Sequence, residues 1–307
     1  MSGWLGIYVR GIAMGAADIV PGVSGGTVAL ITGIYDRLLA ALASVDVRLL
    51  RLVLQRRWRD AWQQVDGSFL IALLAGVVTA IVALANVIAW LLQQYPELLW
   101  SFFFGLVAAS SVYLAHQELD RPRMVEGVAL LFGCVAAILI ALAPAGGFLP
   151  GVMGFFLAGS IAICAMILPG ISGSFILLLL GMYQPVISAL TELRLIELLA
   201  FVVGCGLGLL LFSRLLHWLL ERYRHSVMSL LTGFLAGSLV ALWPWQHTLS
   251  TVLDRHGEMR PVQQMPIGPW RYAAEGGDPQ ILGCLLAAGV GVMIIIATHR
   301  WVVAGRD

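Results

Sequence analysis

The chain reads DIVPGVSGGTVALITGIYDRLLAAL at Asp18–Leu42, and it reads MILPGISGSFILLLLGMYQPVISAL at Met166–Leu190. When the two stretches are aligned, a Pro-Gly pair, a Ser-Gly pair and a later Gly and Tyr fall at the same positions. Proline and glycine disfavour the interior of a helix, and serine is a preferred residue at a helix N-terminus. Each motif therefore predicts a broken helix, followed by a returning helix that is capped by Ser24 or by Ser172.

The composition of the chain is typical of a membrane protein. Of its 307 residues, 60% are hydrophobic and 11% are charged, whereas soluble domains have about 25% charged residues. A helix of about 20 apolar residues crosses a hydrocarbon core of about 30 Å. Apolar runs close to this length lie at 69–92, 98–115, 125–143, 196–216, 226–243 and 281–298. We therefore predict one all-α polytopic membrane domain over residues 1–307.

Charge and cysteine content narrow the class of function. The formal net charge is +1, and no basic patch is interleaved with aromatic residues, so we expect no nucleic-acid partner. The four cysteines are dispersed within apolar segments, without the spacing of a metal site. We therefore expect no metal and no cofactor, and membrane lipids are the expected surroundings.

The arginines, which supply all 18 basic residues, predict the orientation in the membrane. Positive residues collect in cytoplasmic loops. Arginines cluster at Arg48, Arg51, Arg56, Arg57 and Arg59, at Arg121 and Arg123, at Arg214, Arg222 and Arg224, and at Arg300 and Arg306. The loop 244–280 instead combines three arginines with four acidic residues. We therefore expect this loop to be extracytoplasmic and both termini to be cytoplasmic.

This orientation constrains the two motif segments. If residues 12–42 crossed the membrane once, the arginine-rich segment that follows would lie outside, against the charge bias. The segment must therefore enter and return, and the same count applies to residues 154–190. Each half then contains a broken or re-entrant helix hairpin and three transmembrane helices. Because three crossings invert the second half, we predict an inverted-topology repeat with halves 1–147 and 148–307.

The broken tips are the candidate substrate site. In lipid, a helix break is tolerated only where it is buried or lines a cavity. Helix N-termini favour anions, and glycine allows close approach to the backbone. We expect the repeat to bring both tips together in one anion pocket. The expected pocket residues are Pro21, Gly22, Ser24, Gly25, Gly26, Thr27, Pro169, Gly170, Ser172, Gly173 and Ser174.

Three charged residues complete the predicted site. Arg10 lies two turns before Asp18 and is expected to face the same cavity, and Arg214 is a further candidate that could instead be an anchor near the cytoplasmic surface. Asp18 precedes the first break, and intramembrane carboxylates are usually functional. A carboxylate at this position either takes up a coupling ion, H⁺ or Na⁺, or caps nearby backbone or pairs with Arg10.

Other readings of the motifs stay open at this stage. The two breaks could be kinks that only serve helix packing, or the tips could line a channel or transporter for a soluble anion. Both motifs also fit G-x-S-G, the serine signature of rhomboid intramembrane proteases. A nucleophilic serine needs a base within hydrogen-bond reach, and all six histidines lie in loops or near the ends of spans. A serine hydrolase is therefore the weaker reading.

The chain resembles a bacterial membrane family in the segments MGAADIVPGVSGGTVALITGIYDRL, LPGISGSFILLLLGMY and GSLVALWPW. This is the polyprenyl-phosphate (undecaprenyl-phosphate) translocase family, long classed as a domain of unknown function. The resemblance covers nearly the whole chain. It implies a lipid flippase, not an enzyme, that returns undecaprenyl phosphate to the inner leaflet of the bacterial cytoplasmic membrane. The lipid carrier would thereby be recycled for peptidoglycan and other envelope polymers.

Overall fold

The computed structural model of the chain describes residues 3–20, 23–118, 124–143, 151–253 and 259–304. Several residues named above lie outside this range: Pro21, Gly22, Arg121, Arg123, Arg255 and Arg306. The helices of the first half are α1 (Trp4–Ile19), α2 (Gly25–Ile31), α3 (Tyr35–Ala43), α4 (Val47–Leu54), α5 (Trp58–Gln64), α6 (Gly67–Gln94), α7 (Pro96–Glu118) and α8 (Met124–Leu142). The second half contains α9 (Gly151–Ile167), α10 (Gly173–Leu179), α11 (Tyr183–Thr191), α12 (Leu195–Gly237), β1 (Gln246–Leu253), β2 (Met259–Pro266), α13 (Pro269–Ala274) and α14 (Ile281–Ala304).

Within the described residues, four helices are long and apolar enough to cross a membrane, namely α6, α7, α8 and α12. Two further pairs, α2–α3 and α10–α11, pass the same test together but are bent by 117° and 106°. Counting each bent pair as one span gives six candidate spans. The prediction of a mostly helical, multi-pass membrane protein is confirmed.

Helices α1 and α6 pack closely and run in the same direction. Gly11 lies against the carbonyl of Leu73, and a Cβ on Gly15 would lie 2.6 Å from the carbonyl oxygen of Val77. Because α1 and α6 run in the same direction, the chain that connects them must run back along the bundle before α6 can begin. The segment from the end of α1 to the start of α6 therefore returns to the end of the bundle where α1 begins, and α9 and α12 show the same arrangement.

Glycines set the spacing of the four closest helix pairs. In each pair, one glycine from each helix lies so close to a backbone carbonyl of the partner that a Cβ would overlap it. These contacts are Gly11–Leu73, Gly76–Tyr8, Gly159–Phe201, Gly204–Phe156, Gly105–Ala288, Gly291–Phe102, Gly233–Leu130 and Gly133–Leu230. The contacts of α1 with α6 resemble those of α9 with α12. Gly11 and Gly159 are 148 residues apart, as in the aligned motifs, whereas Gly76 and Gly204 are 128 residues apart. The contacts of α7 with α14 likewise correspond to those of α12 with α8.

Each hairpin contains a second break that the sequence analysis missed. The returning helix was expected to run without interruption, but it is divided into α2 and α3 in the first half and into α10 and α11 in the second. Gly33 and Gly181 have φ of +71° and +66° at these divisions. A left-handed residue ends a helix, and glycine adopts this conformation without steric strain. The glycines that recur in both motifs therefore produce the sharp bends.

The two predicted spans 196–216 and 226–243 are joined without a loop, which corrects the sequence analysis. Helix α12 is 43 residues long and bends at Tyr223, whose φ and ψ are −134° and 43°. These values are not helical, so α12 consists of two helices that meet at a kink within the arginine-rich segment. The arginine-rich segment after the first motif is also helical, as α4 and α5.

The loop 244–280 contains regular secondary structure, and the all-α prediction is incomplete there. Strands β1 and β2 form an antiparallel hairpin in which Gln246 lies opposite Pro266 and Leu253 lies opposite Met259. The Nε1–H of Trp243 donates to the carbonyl of Ile267 at 2.8 Å. The β-branched residues Thr248, Thr251 and Val252 of β1 suit a strand.

The two ends of the bundle carry different groups of contacts. At the arginine-rich end, Arg224 pairs with Asp36 at 2.9 Å and Arg37 pairs with Asp66 at 2.6 Å. At the opposite end, Trp245 donates to the carbonyl of Pro279 at 2.9 Å, next to the β-hairpin. The predicted orientation depends on the arginines, which gather at the first of these ends.

Candidate functional site

The first helix tip is capped as the sequence predicts. Ser24 is the N-cap of α2, and its Oγ accepts a hydrogen bond from the N–H of Gly26 at 3.1 Å. Ser172 holds the corresponding position before α10, but its side chain makes no capping bond. Its Oγ lies instead 2.9 Å from the Oγ of Ser174. The capping prediction is therefore confirmed for Ser24 and wrong for Ser172.

The two tips contact each other directly through side chains of the first motif. The Ser24 hydroxyl donates to the carbonyl of Met166 at 3.2 Å. The Gly170 N–H donates to Oγ1 of Thr27 at 2.8 Å. A Cβ on Gly26 would lie only 2.9 Å from the carbonyl oxygen of Ile167, so the two backbones approach each other closely. Residues more than a hundred positions apart thus form one packed polar cluster, as the shared-pocket prediction requires.

Tyr35 joins this cluster and was not among the predicted site residues. It is the first residue of α3, it is buried, and its hydroxyl donates to the carbonyl of Ile167 at 3.0 Å. The recurrence of tyrosine in both motifs, at Tyr35 and Tyr183, was the available signal. For the described residues, Tyr183 shows no equivalent bond, so the tip contact is asymmetric.

Asp18 lies in the last turn of α1, against the start of the first returning helix, α2. Its Oδ1 accepts from the N–H of Gly25 at 2.6 Å, and a Cβ on Gly25 would lie 2.5 Å from its Oδ2. Met166 occupies the aligned position in the second motif, so the second tip lacks this carboxylate. The first tip therefore carries its own anion, whereas the second presents the hydroxyls of Ser172 and Ser174.

The second tip is held against the C-terminal part of α12. Pro169 is buried, and Gly170 has φ of +86°. A Cβ on Gly170 would lie 3.0 Å from the carbonyl oxygen of Phe234 and from Oγ of Ser238. Gly173 similarly lies against α9. Four of the predicted residues thus pack at or beside the contact between the tips, and Ser174 is exposed.

The two predicted arginines have different surroundings. Arg10 is half-buried on α1, and it has no hydrogen bond or ion pair with any described residue. It therefore does not pair with Asp18. Arg214 donates to the carbonyl oxygens of Ala43 and Val45. These carbonyls follow α3 at the end away from the tips, so Arg214 is not brought to the tip cluster.

The serine-hydrolase reading lacks a base in this geometry. The Ser24 hydroxyl donates a hydrogen bond to the carbonyl of Met166, and the Ser172 hydroxyl is hydrogen-bonded to the Ser174 hydroxyl. Within the described part of the chain, neither serine has a histidine as a hydrogen-bond partner. A serine nucleophile is activated by such a partner, and the observed contacts of both serines are with a backbone carbonyl or another serine.

Replacing Thr27 with valine is expected to destabilise the contact between the tips. Valine has nearly the shape of threonine but cannot accept the Gly170 N–H, and a buried donor without a partner costs about 1–3 kcal/mol. The free energy of unfolding in detergent micelles should fall by this amount. Thr32→Val is the matched control, because Thr32 bonds only to carbonyls of its own helix. Equal losses in the two variants would contradict a specific role for Thr27.

Comparison with known proteins identifies the family. The model of a family described as VCA0040-like, undecaprenyl phosphate translocase-like, matches residues 14–260. The chain belongs to this family. The matched range of this translocase-like family includes both motifs and therefore both helix tips, together with the close helix pairs α9–α12 and α8–α12.

Two relatives are similar over most of their length. The chain is 41% identical over 299 residues to a protein named polyprenyl-phosphate transporter from Vibrio cholerae serotype O1, and the match covers 97% of each chain. It is 32% identical over 258 residues to a polyprenyl-phosphate transporter from Staphylococcus aureus, covering 78% of this chain and 86% of the relative. No solved structure matches the chain.

Proposed function

We propose that this protein translocates undecaprenyl phosphate, or a related polyprenyl phosphate, across the bacterial cytoplasmic membrane. The observation that carries the proposal is the 41% identity over 97% of the chain with a protein named polyprenyl-phosphate transporter. Transport runs from the outer to the inner leaflet and recycles the lipid carrier for peptidoglycan and other envelope polymers. The protein acts as a flippase and not as an enzyme.

The tip cluster suits this substrate because of the energetics of a phosphate in a bilayer. An ionised group moved into hydrocarbon without compensation costs tens of kcal/mol in the idealised limit. A flipped phosphate therefore needs polar groups along its path, while its apolar tail can stay in lipid. Buried Ser24 and Thr27 provide polar groups at the contact between the two tips. The hydroxyls of Ser172 and Ser174 bond only to each other within the described residues.

We propose that the phosphate oxygens bind the Ser172 and Ser174 hydroxyls and the guanidinium of Arg10. Two hydroxyls that bond to one another retain further capacity to donate and accept. Arg10 has no partner within the described residues, and a cation near a phosphate forms strong charge-assisted hydrogen bonds. Asp18, which already occupies the first tip, is the candidate site for a coupling ion, H⁺ or Na⁺.

The proposed path lies between two inverted halves, residues 1–147 and 148–307. This part of the proposal is supported by the glycine–carbonyl contacts, which recur in both halves. Transporters built from inverted repeats often bind substrate at broken helices near the repeat interface. The arginine-rich end is cytoplasmic, with both termini, and the β-hairpin end is extracytoplasmic. This orientation is supported by the clusters of arginines in α4, α5 and the kinked part of α12.

Binding of the phosphate head can be tested by native mass spectrometry of the purified protein. We expect undecaprenyl phosphate to be retained in preference to undecaprenyl diphosphate and to phosphatidylglycerol, because a compact polar cluster favours the smaller head. Hydrogen bonds to a charged group contribute about 1.5–3 kcal/mol each. Replacing Ser172 and Ser174 with alanine should therefore weaken retention at least about tenfold.

The control for this experiment is Ser229→Ala. Ser229 is buried on α12 and its hydroxyl has no hydrogen-bond partner within the described residues, so its removal should leave retention unchanged. Equal retention of phosphatidylglycerol and undecaprenyl phosphate would contradict the proposal. Displacement of the lipid by millimolar inorganic phosphate would favour a soluble-anion transporter instead.

A further inference from the structure

Helix α4 exposes an apolar stripe outside the packed helix bundle. Val47, Leu50 and Leu54 are 65%, 57% and 74% exposed, and no residue of this helix is buried. Their spacing places them on one face of the helix. Aliphatic side chains gathered on an exposed face are unfavourable in water, at about 25 cal/mol per Å² of apolar surface. A binding partner that covers this stripe is therefore expected.

The same segment is strongly basic. Its arginines are all exposed at Arg48, Arg51, Arg56, Arg57 and Arg59. Only Arg57 forms an ion pair within the described residues, with Asp60 at 2.7 Å. The other acidic residue, Asp46, accepts from the N–H groups of Leu49 and Arg48 and caps α4. These hydrogen bonds, foremost that of Leu49, hold the pKa of Asp46 below its ordinary value. Within the described residues, Arg48, Arg51, Arg56 and Arg59 therefore form no ion pair, although Arg48 also lowers the pKa of Asp46 electrostatically.

Helix α5 places two tryptophans at the point where a membrane span begins. Trp58 and Trp62 are 63% and 45% exposed. The Nε1–H of Trp62 donates to Oγ of Ser68 at 3.1 Å, and its ring lies against Gly67. Gly67 and Ser68 are the first two residues of α6, so these contacts fix α5 beside the start of the membrane-spanning helix. Tryptophan is enriched at the boundary between hydrocarbon and water.

The segment is held rigidly to the bundle. The Nε2 amide of Gln64 on α5 donates to the carbonyl of Ser44 at 2.8 Å and to Oδ1 of Asp46 at 2.9 Å. Arg214 on α12 donates to the carbonyl of Val45. The apolar stripe and the arginines are thus kept at a fixed height relative to α6 and α12.

We propose that α4 and α5 form an interfacial surface that binds anionic phospholipids of the leaflet at the arginine-rich end. The leucines and tryptophans enter the boundary between head groups and acyl chains, and Arg48, Arg51, Arg56 and Arg59 bind phosphate groups. An anionic lipid surface covers the apolar stripe and neutralises the arginines at once. The lipid head groups also lie at the level of α4 and α5, because the membrane-spanning helix α6 starts there. This inference does not depend on which substrate the protein transports.

Lipid retention by the full-length protein tests the charge component. Native mass spectrometry would compare protein from mixed phosphatidylglycerol and phosphatidylcholine, as wild type and as the variant R48Q/R51Q/R56Q/R59Q. A basic residue near an anionic surface contributes about 1 kcal/mol, so each removed arginine should reduce the preference for phosphatidylglycerol on the order of fivefold. The matched control R48K/R51K/R56K/R59K keeps the charges and should keep the preference. An unchanged preference in the glutamine variant would overturn the proposal.

A fluorescent label tests the apolar component. Bimane on a cysteine at position 50, in a variant whose four native cysteines are alanine, should be shielded from iodide in phosphatidylglycerol nanodiscs. The same label at the exposed position 63 should be quenched. Equal quenching at the two positions would overturn the proposal. Native mass spectra that show a dimer for the wild type and a monomer for the variant Leu50→Gln/Leu54→Gln would also overturn the proposal. The apolar stripe would then be an interface between copies of the chain.

Discussion

Leucine in place of Gly204 is expected to prevent formation of a stable helix bundle, whereas leucine in place of Gly206 should be tolerated. A Cβ on Gly204 would overlap the carbonyl oxygen of Phe156 on α9 and lie 2.9 Å from its carbonyl carbon. Gly206 has nothing within 4 Å. Since both residues lie in α12, the gain in helix propensity is the same for the two variants, about 0.8 kcal/mol.

The expected difference between these variants is large because the obstacle is backbone. Overpacking of side chains costs about 1–3 kcal/mol, and here two helices must separate, so we expect about 3 kcal/mol or more. Gel filtration of detergent-solubilised protein after heating would measure it as a lower midpoint of loss of the monodisperse peak. Gly76→Leu should behave like Gly204→Leu, because Gly76 meets the carbonyl of Tyr8 in the corresponding helix pair. Equal midpoints for the Gly204 and Gly206 variants would refute the proposed packing.

Asparagine in place of Asp18 is expected to abolish the response of transport to an ion gradient while substrate binding persists. The asparagine Oδ1 can still accept from the Gly25 N–H, a bond of 2.6 Å in this structure, so the tip should keep its shape. The negative charge that repels a phosphate is removed. Two like charges about 5 Å apart interact by roughly 3 kcal/mol at an effective dielectric constant of 20. Affinity for the lipid phosphate should therefore rise about tenfold or more.

The physical basis of the expected coupling is neutralisation. A phosphate entering beside an ionised Asp18 favours uptake of a proton or a sodium ion by the carboxylate, and release of both on the cytoplasmic side links transport to the gradient. Uptake of undecaprenyl phosphate into proteoliposomes with an imposed pH or sodium gradient would measure this. Asp36→Asn is the matched control, because Asp36 is an exposed carboxylate in the first turn of α3 that pairs with Arg224 and not with the tips. An Asp18→Asn protein with unchanged gradient dependence would show that Asp18 only caps α2.

Features that depend on neighbouring residues were accessible from the sequence. The N-cap at Ser24 follows from the local preference of serine for helix starts, and it is present. The spans of α6, α7 and α8 follow from uninterrupted apolar runs. The bends at Gly33 and Gly181 could have been predicted as well, since a glycine recurs at this position within the apolar stretch of both motifs. Their angles could not, because they depend on what α3 and α11 pack against.

Contacts between distant residues were not accessible in the same way. Nothing near Thr27 indicates that its hydroxyl accepts from Gly170, and nothing near Arg214 indicates that it binds carbonyls after α3 instead of the tips. Asp18 was recognised as unusual because a carboxylate is costly in a membrane. Whether Asp18 would accept a hydrogen bond from the Gly25 N–H or form an ion pair with Arg10 depended on the path of the backbone at the tip. The structure shows the bond to Gly25.

By itself, the sequence determined that this protein crosses a membrane several times and that two matching breaks interrupt its apolar segments. Hydropathy and the preferences of proline, glycine and serine act over a few residues, so they can be read directly. Only the tertiary structure decided that Ser24, Thr27 and Tyr35 reach across to Met166, Gly170 and Ile167. Those bonds exist because glycine-lined helices approach one another closely, and the spacing between packed helices is a property of the whole bundle.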